Sequence, residues 1–120
     1  MLQAVLDALN ELRSPFAPYE SDLHRYVEGR LREAGLPCVH EAKIGKGCRI
    51  DYLVGGVGIE IKKGKPVPAR LMGQIRRYAA CESVSALVVV TPWSVSLPDA
   101  VFGKPLRTIA LNRLWGVALP

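Results

Sequence analysis

Asp51, Glu60 and Lys62 are the residues of this chain whose types and spacing could do chemistry. They lie in Arg49-Ile50-Asp51-Tyr52-Leu53-Val54-Gly55-Gly56-Val57-Gly58-Ile59-Glu60-Ile61-Lys62-Lys63. Two β-rich runs flank Gly55-Gly56, a common hairpin turn because both glycines accept φ > 0. A two-residue turn opposes Val54 to Val57, Leu53 to Gly58, Tyr52 to Ile59 and Asp51 to Glu60; a four-residue loop closing on Leu53 and Gly58 keeps that register. Opposed residues of an antiparallel ladder have Cβ atoms about 4.5–5.5 Å apart, and like charges there are destabilising. Removing either carboxylate should therefore leave the fold intact or improved. Alternation puts Lys62 on the face of Glu60, with Ile59 and Ile61 in the opposite layer. A carboxylate pair with an ammonium beside it is a metal-site arrangement. The plainer alternative is a salt bridge of Glu60 with Lys62 or Arg49 on a solvated strand face.

The elements that must position this hairpin follow from periodicity and punctuation. Leu2, Val5, Leu6, Leu9 and Leu12 have helical spacing, which predicts a short amphipathic helix over 2–13. Pro15 and Pro18 break it. A second helix is expected from Pro18 to Ala34, with Gly35 as its stop and Pro37 beyond. Its stripe is Leu23, Val27, Leu31 and Ala34, and Glu20 falls near the middle of that stripe, one turn before His24. A buried lone carboxylate is costly unless it is paired or binds a metal; the alternative is a half-solvated Glu20 favoured by the helix dipole. His24 reads either as a helper of the site or as a satisfied structural residue. Asp22, Glu28 and Glu33 read as surface.

Residues 37–44 read as a strand and Gly45-Lys46-Gly47 as the turn into the hairpin. A basic loop, Lys63 to Pro68, precedes a helix over 69–82 that buries Leu71, Ile75 and Ala79 and carries Arg70, Gln74, Arg77, Tyr78 and Cys81 on a neighbouring face. The apolar run 85–91 has the signature of a strand covered on both faces. Residues 92–106, with Pro92, Pro98, Gly103 and Pro105, look irregular; 108–111 reads as a short last strand and 112–115 as a final turn. The expected organisation is a single domain over 1–120.

Composition bounds the function. A hydrophobic fraction of 49% in 120 residues is enough for a real core. No apolar run approaches a membrane span and no signal-peptide pattern is present. Cys38, Cys48 and Cys81 are scattered, with no C-x-x-C, so neither a disulfide framework nor a zinc or iron–sulfur site is indicated. An intracellular, cytoplasmic protein is expected. The net charge of +5 is concentrated: nine basic residues lie between 43 and 77, with only Asp51 and Glu60 against them. Such a field suits a polyanion such as nucleic acid; the alternative is a solvated face that serves solubility.

The element order, helix, three antiparallel strands, helix, strand, together with these residues, resembles the PD-(D/E)xK nuclease superfamily. The signature reads here as Ile50-Asp51, eight residues, then Glu60-Ile61-Lys62, with Ile50 in place of the proline. Glu20 matches the acidic residue many members carry on the first core helix, and Gln74-Ile75-Arg76-Arg77-Tyr78 matches the Q-x-x-x-Y element of the second. The resemblance covers roughly 18–111 and leaves residues 1–14 as an N-terminal helical extension. It implies an α/β (α+β) fold: a restriction-endonuclease-like αβββαβ core with a mixed central sheet flanked by helices.

The resemblance further implies a metal-dependent nuclease hydrolysing phosphodiester bonds, most often of DNA. Asp51, Glu60 and the Ile61 carbonyl would supply oxygen ligands suited to Mg²⁺ or Mn²⁺. Glu20 would hold a metal water or complete a second metal site, Lys62 would orient or help deprotonate the attacking water, and Gln74 and Tyr78 would support the site. Lys46, Lys63, Lys65, Arg70 and Arg77 are candidates for phosphate contacts, which position without specifying. The superfamily spans restriction enzymes, Holliday-junction resolvases, repair nucleases and phage or mobile-element enzymes. A homodimer, with the N-terminal helix as its interface, or a larger nuclease assembly is implied by so small a core. The alternative is a nucleic-acid-binding module or assembly subunit with little activity alone.

Overall fold

The computed structural model describes residues 1–10 and 20–110, with side chains in the second segment described from Leu23 onward. The expected helix beyond residue 10, the break at Pro15 and Pro18, and the turn at 112–115 lie outside the described residues. The elements are α1 (Leu2–Leu9), α2 (Glu20–Glu33), β1 (Val39–Gly45), β2 (Cys48–Val54), β3 (Val57–Ile61), α3 (Pro68–Ala79), β4 (Ala86–Thr91), β5 (Ala100–Val101) and β6 (Lys104–Ala110). They form a small α+β domain around one six-stranded mixed sheet, ordered β1-β2-β3-β4-β6-β5. The β1–β2–β3 part is antiparallel, and β3, β4 and β6 run parallel. Among the described residues no helix is long and apolar enough to cross a membrane.

The sheet is covered on both faces. Val5 and Leu9 of α1 and Leu23, Val27 and Leu31 of α2 pack with Tyr52, Val54, Ile59 and Ile61. On the other face Leu71, Ile75, Tyr78 and Ala79 of α3 pack with Ile50, Leu87, Val89 and Leu106. Double coverage explains why β4 reads as an unbroken apolar run and is buried at every position. Val5 and Leu9 of the α1 stripe are fully buried in this core, while Leu2 and Leu6 are half-buried against it. Ala34 drops out of the α2 stripe because the helix closes at Glu33, with Leu36 N–H donating to Leu31 O at 2.9 Å and Gly35 at φ 75°.

The hairpin register is Val54–Val57, Leu53–Gly58, Tyr52–Ile59. Only Gly55 takes a positive φ, 59°, the pattern of a type II′ turn. Gly56 is needed for a different reason, since a Cβ there would collide with the Ser85 hydroxyl.

One expectation fails, and one irregularity appears that periodicity does not show. Residues 100–110 are not irregular up to 106: β5 and β6 form a hairpin around Phe102 (φ 52°) and Gly103 (φ 74°). Pro105 is tolerated because the ladder with β4 begins one residue later, at Leu106. Alternation along β2 is interrupted between Ile50 and Tyr52. Ile50 packs on the α3 face while Tyr52 packs on the α1/α2 face. On β1, Ala42 lies with Ile50 whereas His40 stacks on Tyr52, with ring centroids 4.8 Å apart. The switch falls at Glu41, whose φ is 51°, and at Asp51, the residue between Ile50 and Tyr52.

Candidate functional site

Asp51 therefore occupies a strand position belonging cleanly to neither face, which lets it reach in two directions. Its Oδ2 accepts the Ile61 N–H at 2.8 Å and lies 3.8 Å from His24 Nε2 on α2. The Asp51 N–H in turn points to Glu60 Oε1 at 3.4 Å. The β2–β3 backbone pairing ends at Tyr52–Ile59, and beyond it these backbone-to-carboxylate bonds stand in for the ladder. The two acids thus do more than oppose each other, since each receives a main-chain donor from the other strand.

Glu60 points to the α3 face, with Ile59 and Ile61 in the opposite layer as alternation requires. It is 5% exposed. Lys62 Nζ lies 3.2 Å from Glu60 Oε2, and Gln74 Nε2 donates to the same oxygen at 3.0 Å. Gln74 Nε2 also donates to Tyr78 Oη at 2.8 Å, one helical turn along α3. Burial, and secondarily the Asp51 charge, push the Glu60 carboxyl up to about 7 against the opposing pull of Lys62. Burial beside Glu60 also raises the Tyr78 phenol.

Asp51, Glu60, Ile61, Lys62, Gln74 and Tyr78 are thus brought together. Glu20 is the first residue of α2, but its side chain lies outside the described residues. The basic candidates divide. Lys65 and Arg70 line a cavity of about 220 Å³ together with Lys62 and Gln74, and the Lys63 carbonyl lies at the same end, where it accepts the Trp93 indole N–H. Lys46 stands at the β1–β2 turn, while Arg77 lies nearer Cys48, whose thiol burial raises and the Arg77 charge draws back.

The sequence reading missed several contacts. Glu28, read as surface, accepts the hydroxyl of Tyr52 at 3.0 Å, and Arg32 holds its carboxyl below the usual range. Its position one turn from His24 was legible, but the identity of its partner was not. The Trp93 anchor on Lys63 carries no sequence signal beyond an aromatic residue in a proline-containing loop.

The donor set tests the fit of a divalent cation. Among the described residues no three His, Cys, Asp or Glu side chains gather as a metal group; Asp51 and Glu60 make two. Their oxygens are hard donors of the kind Mg²⁺ and Mn²⁺ prefer, and they converge across the end of the β2–β3 ladder. The residues present fit such an ion. Comparison of the chain with family models, curated proteins and solved structures finds no match.

Proposed function

We propose that this chain is a Mg²⁺- or Mn²⁺-dependent nuclease of the PD-(D/E)xK type that hydrolyses phosphodiester bonds in DNA, built on a restriction-endonuclease-like αβββαβ core. The observation that carries the reading is the Asp51–Glu60 pair, cross-bonded between β2 and β3, with Lys62 Nζ 3.2 Å from Glu60. The run α2-β1-β2-β3-α3-β4 supports it, as does the basic rim at Lys65 and Arg70.

In this reading Asp51, Glu60 and the Ile61 carbonyl would hold the cation, with Glu20 as a further carboxylate. When bound, the ion lowers the pKa of a water and stabilises charge developing on phosphate oxygen. Lys62, as the ammonium beside Glu60, would donate to the attacking water and orient it. Gln74 fixes the Glu60 carboxylate through Oε2 and is itself fixed by Tyr78. Lys65 and Arg70 receive the phosphates flanking the scissile bond.

The test is cleavage of plasmid, linear duplex and single-stranded DNA by the purified chain in Mg²⁺, Mn²⁺ or EDTA. Metal-dependent cleavage that disappears in Lys62→Ala while DNA binding persists is the expected result. DNA binding without cleavage in either metal, and without calorimetric Mn²⁺ uptake, would replace the enzyme by a nucleic-acid-binding module.

A further inference from the structure

Trp93 is a large aromatic held in water by its surroundings rather than left there. It is 43% exposed, just beyond β4. Its backbone N–H donates to Thr91 Oγ1 at 3.1 Å, and its indole N–H donates to the Lys63 carbonyl at 2.9 Å. The second bond ties the loop after β4 to the loop after β3, the loop that begins at Lys62. Lys65 Nζ lies 5.9 Å from the ring centroid and also lines the 220 Å³ cavity with Lys62, Arg70 and Gln74. Lys62 and Gln74 both touch Glu60. A fixed, part-exposed indole thus adjoins a basic cavity, two of whose lining residues contact Glu60.

A contact at 5.9 Å is at the outer limit of cation–π attraction, worth about 0.5–1 kcal/mol at an exposed site, and it does not account for a part-exposed indole pinned through its own N–H. An aromatic face beside cations that can take phosphates is the construction of single-strand binding sites, where every base has a π-face to stack and the backbone follows the positive charge. A base paired inside a duplex cannot offer that face. We infer that Trp93 is a stacking platform for an unpaired base, so that the substrate at this site is single-stranded or frayed nucleic acid whose phosphates run over Lys65 and Arg70. The inference rests on the nuclease reading and narrows it.

The experiment uses the intact chain carrying Trp115→Phe, which leaves Trp93 as the only one of the chain's two tryptophans, in EDTA so that nothing is cut. The probes are (dT)15, (rU)15 and a blunt DNA hairpin of comparable charge. Quenching of Trp93 fluorescence by an oligothymidylate but not by the hairpin is expected, and the (rU)15 arm separates DNA from RNA. In the parent chain, Trp93→Ala should weaken (dT)15 binding by roughly 5- to 100-fold and hairpin binding by less than twofold. Trp93→Phe, which keeps a ring and loses the bond to Lys63, should retain most of the affinity. Unchanged (dT)15 binding by Trp93→Ala, or equal weakening of both probes, overturns the platform and leaves the nuclease reading standing. Failure of the parent chain to bind any of the three probes overturns both.

Discussion

The Asp51 carboxylate accepts the Ile61 amide at 2.8 Å at the point where β2 and β3 stop pairing through their backbones. Two residues proposed to share one cation are therefore already joined without it. This makes the two acids unequal, although an opposed pair read from sequence treats them alike.

Asp51 is the structural member. Asp51→Ala strands a part-buried N–H and should cost about 1–3 kcal/mol, against the simple expectation that relieved repulsion improves the fold. Asp51→Asn keeps an oxygen that can accept from Ile61 and should fold normally while losing Mn²⁺ uptake. Urea denaturation and Mn²⁺ calorimetry on both variants decide the point; an alanine variant as stable as the parent removes this bond from the account.

Glu60 is the strained member, and its sign is opposite. Its folded pKa, about 7, lies above the unfolded value of 4.5. Between those values the unfolded chain loses the proton while the folded chain keeps it, so stability falls as pH rises from 4.5 to 7 and levels off above. The loss is on the order of 3 kcal/mol at most. In EDTA, Glu60→Gln should flatten this slope and exceed the parent in stability at pH 8, with the two converging near pH 4.5. Parallel stability–pH curves for the two proteins would show that Glu60 is ionised in the fold at ordinary cost.

Much of this site was legible because it depends on short-range rules. The Gly55-Gly56 turn fixes the register, and alternation along β3 puts Glu60 and Lys62 on one face. The helical spacing of Gln74 and Tyr78 places them together on α3. What sequence could not show is where alternation resets. The switch between Ile50 and Tyr52 depends on Glu41, on another strand, taking φ 51°, a conformation nothing in its side chain announces. The β5–β6 hairpin stayed hidden for a related reason. Pro105 and the Phe102-Gly103 turn read as loop composition, and its parallel pairing with β4 is non-local.

The basic rim makes a quantitative claim about salt. If Lys65 and Arg70 each neutralise one phosphate, the slope of log affinity against log salt on single-stranded (dT)15 should shrink by about 1.4 in the double alanine variant. Arg77→Ala, at the other end of α3, tests whether the interface extends along the helix: it does if the slope falls by a further ~0.7. An unchanged slope in the Lys65/Arg70 variant places the phosphates elsewhere.

Gly58 joins the fold to the site through Ile50. A Cβ at Gly58 would lie 2.6 Å from Ile50 Cδ1 and 3.0 Å from Leu87 Cδ2, and both of these side chains are almost fully buried. The missing side chain is what lets Ile50 lie on the α3 face, and Ile50 is bonded in sequence to Asp51. Gly58→Ala must push Ile50 away, which should cost about 1–3 kcal/mol by overpacking and weaken Mn²⁺ uptake through the displaced neighbour. Ile50→Val removes the Cδ1 atom in the clash and alone should cost about 0.5–1.5 kcal/mol. Combined, the two should cost clearly less than their sum, with a favourable coupling of about 1 kcal/mol in a double-mutant cycle, and Mn²⁺ affinity should recover with stability. Strictly additive losses would mean that Leu87 or the backbone, rather than Ile50, absorbs the added methyl, and the link from Gly58 to Asp51 would be lost.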